Sequence, residues 1–85
     1  MMNYEDYLTT AEQNKCRAFA ASTHWGFTRD ELEKQIVKFE KGDDKAKAKV
    51  LCILEDCNYH SLYRILCEEG GDAARKWADE NMYVG

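Results

Sequence analysis

No proline occurs anywhere in the 85 residues, and glycine appears only five times. Proline breaks helix interiors, so its absence removes the main local obstacle to a succession of helices. Long apolar runs are also missing. No stretch approaches the ~20 consecutive apolar residues of a membrane-spanning helix, so no membrane association is expected. Met1 to Asp6 is polar and acidic, unlike the basic and then apolar pattern of a secretory signal, and the expected location is the cytoplasm. Nor is there a basic excess. Lys and Arg number 12 against 16 Asp and Glu, and the resulting net charge of -4 favours solubility and opposes nonspecific attraction to nucleic acid.

Hydrophobic residues make up 45% of the chain, which is too apolar for disorder. A chain of this length has room for one domain, residues 1–85, and such domains bury only about 60% of the surface exposed by the unfolded chain. The four cysteines are Cys16, Cys52, Cys57 and Cys67. Each falls within a predicted helix or at its end, so free thiols are expected, with Cys57 and Cys67 as small core residues and Cys16 partly exposed. A zinc site would draw on ligands paired in loops, whereas the step from Cys52 to Cys57 turns ~140° around a helix. No metal or cofactor is expected.

Apolar positions recur at helical spacing. A first helix beginning after Asn3 would place Tyr4, Tyr7, Leu8, Ala11, Ala18, Ser22 and Trp25 on one stripe; Thr10 with Gln13 offers a later start that leaves Tyr4 to Leu8 as a separate turn. Gly26 would end either version. Thr28 followed by Glu31 forms a capping box that opens a second helix through Lys41, which stops at Gly42, where a left-handed residue is tolerated. Leu32, Ile36 and Phe39 face inward there, and Lys34, Lys38 and Lys41 line the opposite side, with Asp30 four residues before Lys34. Asp43 or Asp44 caps a third helix whose stripe of Ala46, Val50, Ile53 and Cys57 is widened by Leu51 and Leu54, which predicts a central element touching several neighbours. Asn58 ends it or restarts the chain. The fourth helix groups Tyr59, Leu62, Ile65 and Leu66 against His60, Ser61, Arg64 and Glu68, and Gly70 and Gly71 close it. Asp72 caps a fifth helix in which Ala73, Ala74, Trp77 and Ala78 pack closely on a neighbour, and Tyr83 to Gly85 form a frayed tail. The expected fold is all-α, a compact bundle of four to five short helices.

The segment Leu54 to Gly70, LEDCNYHSLYRILCEEG, resembles the second half of a bacterial helix-turn-helix. Ser61, Leu62, Tyr63, Arg64, Ile65 and Leu66 carry the resemblance. It implies a helix-turn-helix-like pair near residues 45–69, with Ala46 to Glu55 as the supporting helix, Asp56 to Tyr59 as the turn, and His60, Ser61 and Arg64 facing the major groove. Asp56 stands where that family has glycine, and Glu55 where it has a buried leucine. Glu55, Asp56, Glu68 and Glu69 flank the reading face with charge that phosphates repel.

Catalytic patterns are missing. A nucleophile needs a base within hydrogen-bond reach, and neither His24 nor His60 stands in a glycine-rich elbow or beside a cysteine in a recognised arrangement. No glycine-rich phosphate loop is present, so neither enzymatic activity nor a small-molecule substrate is expected. Trp25 and Trp77 read as core anchors. Phe27, Val37 and Tyr83 read as exposed contacts, Val37 because it lies off the line of Leu32, Ile36 and Phe39.

Two functional expectations follow. The favoured one is a non-enzymatic helical module that docks another protein or itself, as a homodimer. Chains of this size and charge are frequent among bacterial accessory and phage-encoded proteins, where they adapt or inhibit a larger machine. The alternative is a helix-turn-helix transcriptional regulator; nucleic acid is the less favoured partner. The residues expected to carry contacts are His60, Ser61, Arg64, Lys34, Lys38, Lys41, Val37 and Phe27.

Overall fold

A computed structural model describes residues 2–23 and 27–82. A short 3-10 turn, Tyr4–Asp6, precedes five helices: α1 Thr10–Ser22, α2 Arg29–Lys41, α3 Asp44–Asp56, α4 His60–Glu68 and α5 Gly71–Asn81. Among the described residues there is no strand, and no helix is long and apolar enough to cross a membrane. The chain is the all-α bundle of short helices that its spacing predicts. Trp25, Gly26 and Tyr83 to Gly85 lie outside the described residues.

The N-terminal segment takes the divided form. Asn3 caps the 3-10 turn by accepting from the Glu5 N–H at 3.1 Å. A new helix then starts behind Thr9, whose hydroxyl accepts from the Glu12 N–H at 3.2 Å while the Glu12 carboxylate accepts from the Thr9 N–H at 3.0 Å. This reciprocal box satisfies two orphan donors and sits one residue before the expected pairing of Thr10 with Gln13. Gln13 instead donates to the Leu8 carbonyl. Restarting the coil at Thr9 changes its register, so α1 buries Cys16 and Ala20, while Ala11, Ala18 and Ser22 of the expected stripe are exposed. Cys16 is therefore a core thiol and not a partly exposed one. Cys57 and Cys67, expected in the core, are only half-buried.

At α2 the Thr28 hydroxyl accepts from the Glu31 N–H at 3.1 Å, but the Glu31 carboxylate lies 3.8 Å from Lys34. Asp30 forms no pair with Lys34. Gly42 ends the helix in extended backbone at φ −84°, not in the left-handed region. Glycine is needed there for closeness: a Cβ would lie 2.5 Å from the Ala46 Cβ and 2.6 Å from the Lys38 carbonyl.

Asp43 caps α3, accepting from the Ala46 N–H at 2.9 Å. Asn58 takes the left-handed conformation, with φ 64°. The N–H of Tyr59 reaches the Leu54 carbonyl at 2.9 Å and that of Asn58 reaches Glu55 at 3.1 Å, the paired bonds of a Schellman ending. Asn58 thus closes α3, and α4 begins with no side-chain cap. Gly70, at φ 98°, takes the cap position before α5, so Asp72 lies inside the first turn of that helix.

Core burial centres on α3, which buries Ala48, Val50, Leu51, Cys52, Ile53 and Leu54 and packs against α1, α2, α4 and the 3-10 turn. Leu32, Leu51, Leu54 and Leu62 are fully buried, each contributing about 1.5–3 kcal/mol of apolar transfer. α5 seals the other side against α2 and α4 through Ala74 and Ala78, with Trp77 partly buried. Tyr63, placed on no face by its spacing, is buried and donates its hydroxyl to the Met2 carbonyl at 2.7 Å, which ties the chain start to α4.

Candidate functional site

Both α1 and α2 pack along α3 rather than broadly on one another, and a trough of about 590 Å³ lies between them. Each helix supplies one face. Glu12, Lys15, Cys16 and Phe19 recur at the three-and-four spacing on α1, as do Ala46, Lys49, Val50 and Ile53 on α3; α2 contributes Gln35, Lys38 and Lys41. The volume falls within the roughly 300–1,000 Å³ of ligand-accepting clefts.

The floor is apolar because the expected α3 stripe of Ala46, Val50 and Ile53 runs along it, facing Cys16. Small side chains at Ala46 and Gly42 keep the floor low, and Phe19, 37% exposed, stands at its edge. Burial raises the Cys16 thiol above its ordinary range despite the charge of nearby Lys49, and burial pushes its neighbour Cys52 up to about 11. Both therefore stay neutral near pH 7 and behave as apolar side chains.

The rim is cationic. Lys15, Lys38, Lys41 and Lys49 line the trough and are exposed, and none forms an ion pair among the described residues. The lone carboxylate on the lining is Glu12, and it is already engaged. Lys45 holds it at 2.8 Å, and that contact with the Thr9 N–H lowers its pKa to about 2. Lys47 points elsewhere, 5.5 Å from the Phe39 ring centre.

One polar group lies inside. Gln35 is 1% exposed and lines the trough, and its Nε2 has no hydrogen-bond partner among the described residues. An unpaired buried donor costs about 1–3 kcal/mol.

The contact residues expected from sequence scatter over the surface. Lys38 and Lys41 reach the trough; Lys34 is drawn to Glu31, and half-buried Val37 lies off the lining. Phe27 corrects the expectation of an exposed contact. It is 6% exposed and stacked on Tyr59, between α3 and α4, with ring centres 5.8 Å apart. His60, Ser61 and Arg64 are exposed together on α4. His60 Nδ1 lies 3.1 Å from Glu55, and Arg64 donates to Glu68 at 3.2 Å, so acidic neighbours already occupy both basic groups. Gln35 was not singled out by the sequence reading. The signal for Gln35 was its place three residues after Leu32, on the buried face of α2.

The opposite flank of α2 is closed by ion pairs to α5. Arg75 engages both Glu33 oxygens from Nε, at 3.0 and 2.8 Å, and grips Glu40 with its two terminal nitrogens at 3.0 and 2.6 Å. Arg29 links Asp79 at 2.8 Å to Glu33 at 3.1 Å. Burial favours the neutral form of Glu33, but hydrogen bonds from Arg75 and Arg29 outweigh it and keep its pKa below the usual range; Arg75 does the same to Glu40. The helices meet closely here, since a Cβ at Gly71 would collide with the Glu40 carboxylate. No family model, curated protein or solved structure matches this chain.

Proposed function

We propose that the chain is a non-catalytic docking module whose trough between α1, α2 and α3 holds an acidic segment of a partner protein. The observation that carries this reading is that four lysines without an ion-pair partner among the described residues line a trough with an apolar floor, in a chain whose net charge is -4. The molecule is acidic overall and basic at this one concavity. Such a charge distribution steers an acidic partner and fixes its register, while the apolar floor supplies most of the affinity.

Electrostatics favour another protein over a second copy at this face. A two-fold dimer through the trough would set its lysines against the same lysines of the partner copy. Binding is favoured over catalysis because Glu12 is committed to Lys45 and Cys16 stays protonated, which leaves the lining without a group poised to exchange protons near pH 7. Protein is favoured over DNA because Arg64 and His60 direct donors to Glu68 and Glu55, and Phe19 alone offers the trough no series of stacking platforms.

Site-specific photo-crosslinking tests this reading. A photoreactive phenylalanine analogue at Phe19 is expected to give one dominant protein adduct in cells, attached through an acidic peptide and lost in Lys38→Glu/Lys49→Glu. The same analogue at Ser61 is expected to give none. An adduct from Ser61 alone, no adduct from Phe19, or a Phe19 adduct indifferent to charge reversal would count against the trough.

A further inference from the structure

Resting on that docking reading, we infer that Gln35 is the specificity-determining residue of the trough: the partner seats there an acidic amphipathic segment carrying a hydrogen-bond acceptor between apolar residues, and Gln35 Nε2 donates to it. The side chain is 1% exposed, lines the trough and has an amide nitrogen without a partner among the described residues. A purely aliphatic anchor over Val50 and Ile53 would leave that donor buried and unpaired, so binding would keep the desolvation cost and gain nothing in return. An acceptor removes it.

The acceptor comes from a side chain if the segment is helical. Mid-helix carbonyls are bonded within their own coil, and only the last turn has free ones. Apolar residues at three-and-four spacing then meet Phe19, Val50 and Ile53, as in helix-in-groove recognition. Carboxylates flanking them meet Lys15, Lys38, Lys41 and Lys49. Among acceptors, Asp and Glu suit this setting best, because they complete the donor and lie within the field of the lysine ring.

Displayed random peptides of about 15 residues, long enough for a marginal helix, are selected in parallel on the wild-type chain, on Gln35→Met and on Lys38→Glu/Lys49→Glu. Methionine keeps the size and drops the N–H. The wild type is expected to enrich peptides with net negative charge and one Asp, Glu, Asn or Gln flanked by apolar residues; Gln35→Met is expected to replace that one position with an aliphatic residue. In fluorescence anisotropy, putting leucine at the acceptor position of an enriched peptide should weaken binding to the wild type about tenfold and to Gln35→Met by less than about twofold. The peptide substitution needs no change in the protein, so it holds even if a variant folds poorly. An identical consensus on both chains overturns the role of Gln35 and leaves the docking reading standing if charge reversal still abolishes selection. Enrichment without acidic residues, or none on the wild type, overturns both.

Discussion

Helix α2 carries charge on two flanks, and the two meet opposite fates. Toward α5, Arg29, Glu33 and Glu40 are matched by Asp79 and Arg75, so the charges close on one another. Toward the trough, Lys38 and Lys41 face Lys15 and Lys49 across an apolar floor, and nothing in the described chain answers them. Guanidinium and ammonium chemistry explain part of the contrast: the planar arginine fork fixes carboxylates in pairs and orders two helices, whereas lysine is a mobile, hydrated point charge suited to meeting a partner that arrives later. The paired flank closes on its own chain; on the docking reading, the other is left to a partner.

Exchanging the charges on each flank should separate the two roles. The largest effect is expected from Lys38→Glu/Lys49→Glu, which should weaken an acidic peptide about hundredfold, roughly 2.7 kcal/mol, with little change in the urea midpoint. Comparable loss of stability in that variant would erase the contrast. Next comes Arg75→Ala, expected to lower stability by about 1–2 kcal/mol in urea unfolding, discounted because the carboxylates it grips are more than one-third exposed. Peptide affinity should stay within about twofold. Weakened binding with unchanged stability would reverse the assignment of the flanks.

Gln35→Met sharpens the comparison from inside. Replacing an unpaired buried amide with an apolar side chain of like size should raise the stability of the free chain by about 1 kcal/mol while weakening acceptor-bearing peptides. A residue whose loss improves the fold and impairs binding is retained for binding. A drop in thermal midpoint would show that the amide has a structural partner.

The smallest effect concerns acid. Glu12, Glu33 and Glu40 all have folded pKa values below the ordinary 4.5, Glu12 at about 2. For depressed carboxylates the stability gain is complete above the unfolded pKa and lost as pH falls through the folded one. The thermal midpoint should therefore decline from about pH 4.5 toward pH 2. Arg75→Ala should flatten this decline, because it releases Glu33 and Glu40, whereas Lys38→Gln/Lys49→Gln should leave it in place. Equal flattening by both would contradict the division.

The helices were legible in the sequence because their signals are local. Thr28 caps α2 without the reciprocal Glu31 bond, Asp43 caps α3 as read, and the Ala46, Val50 and Ile53 stripe lies on one line of α3. Errors arose where two local solutions compete: Thr9 with Glu12 displaced Thr10 with Gln13, and the register of α1 moved with it. The trough was not legible, because it depends on how far apart α1 and α2 settle on α3. The ion pairs of Arg75 with Glu33 and Glu40 span 42 and 35 residues, distances no local pattern reports. The lysine row of α2 was visible, but not that Lys34 would bind Glu31 while Lys38 and Lys41 found no partner among the described residues.

The central claim is that the trough is the binding face, and an NMR titration with a peptide enriched on the wild-type chain tests it most directly. Amide shift changes concentrated at Cys16, Phe19, Gln35, Val50 and Ile53, and weak at Ala74 and Arg75, are expected. Changes centred on α5, or on His60 to Arg64, would contradict it.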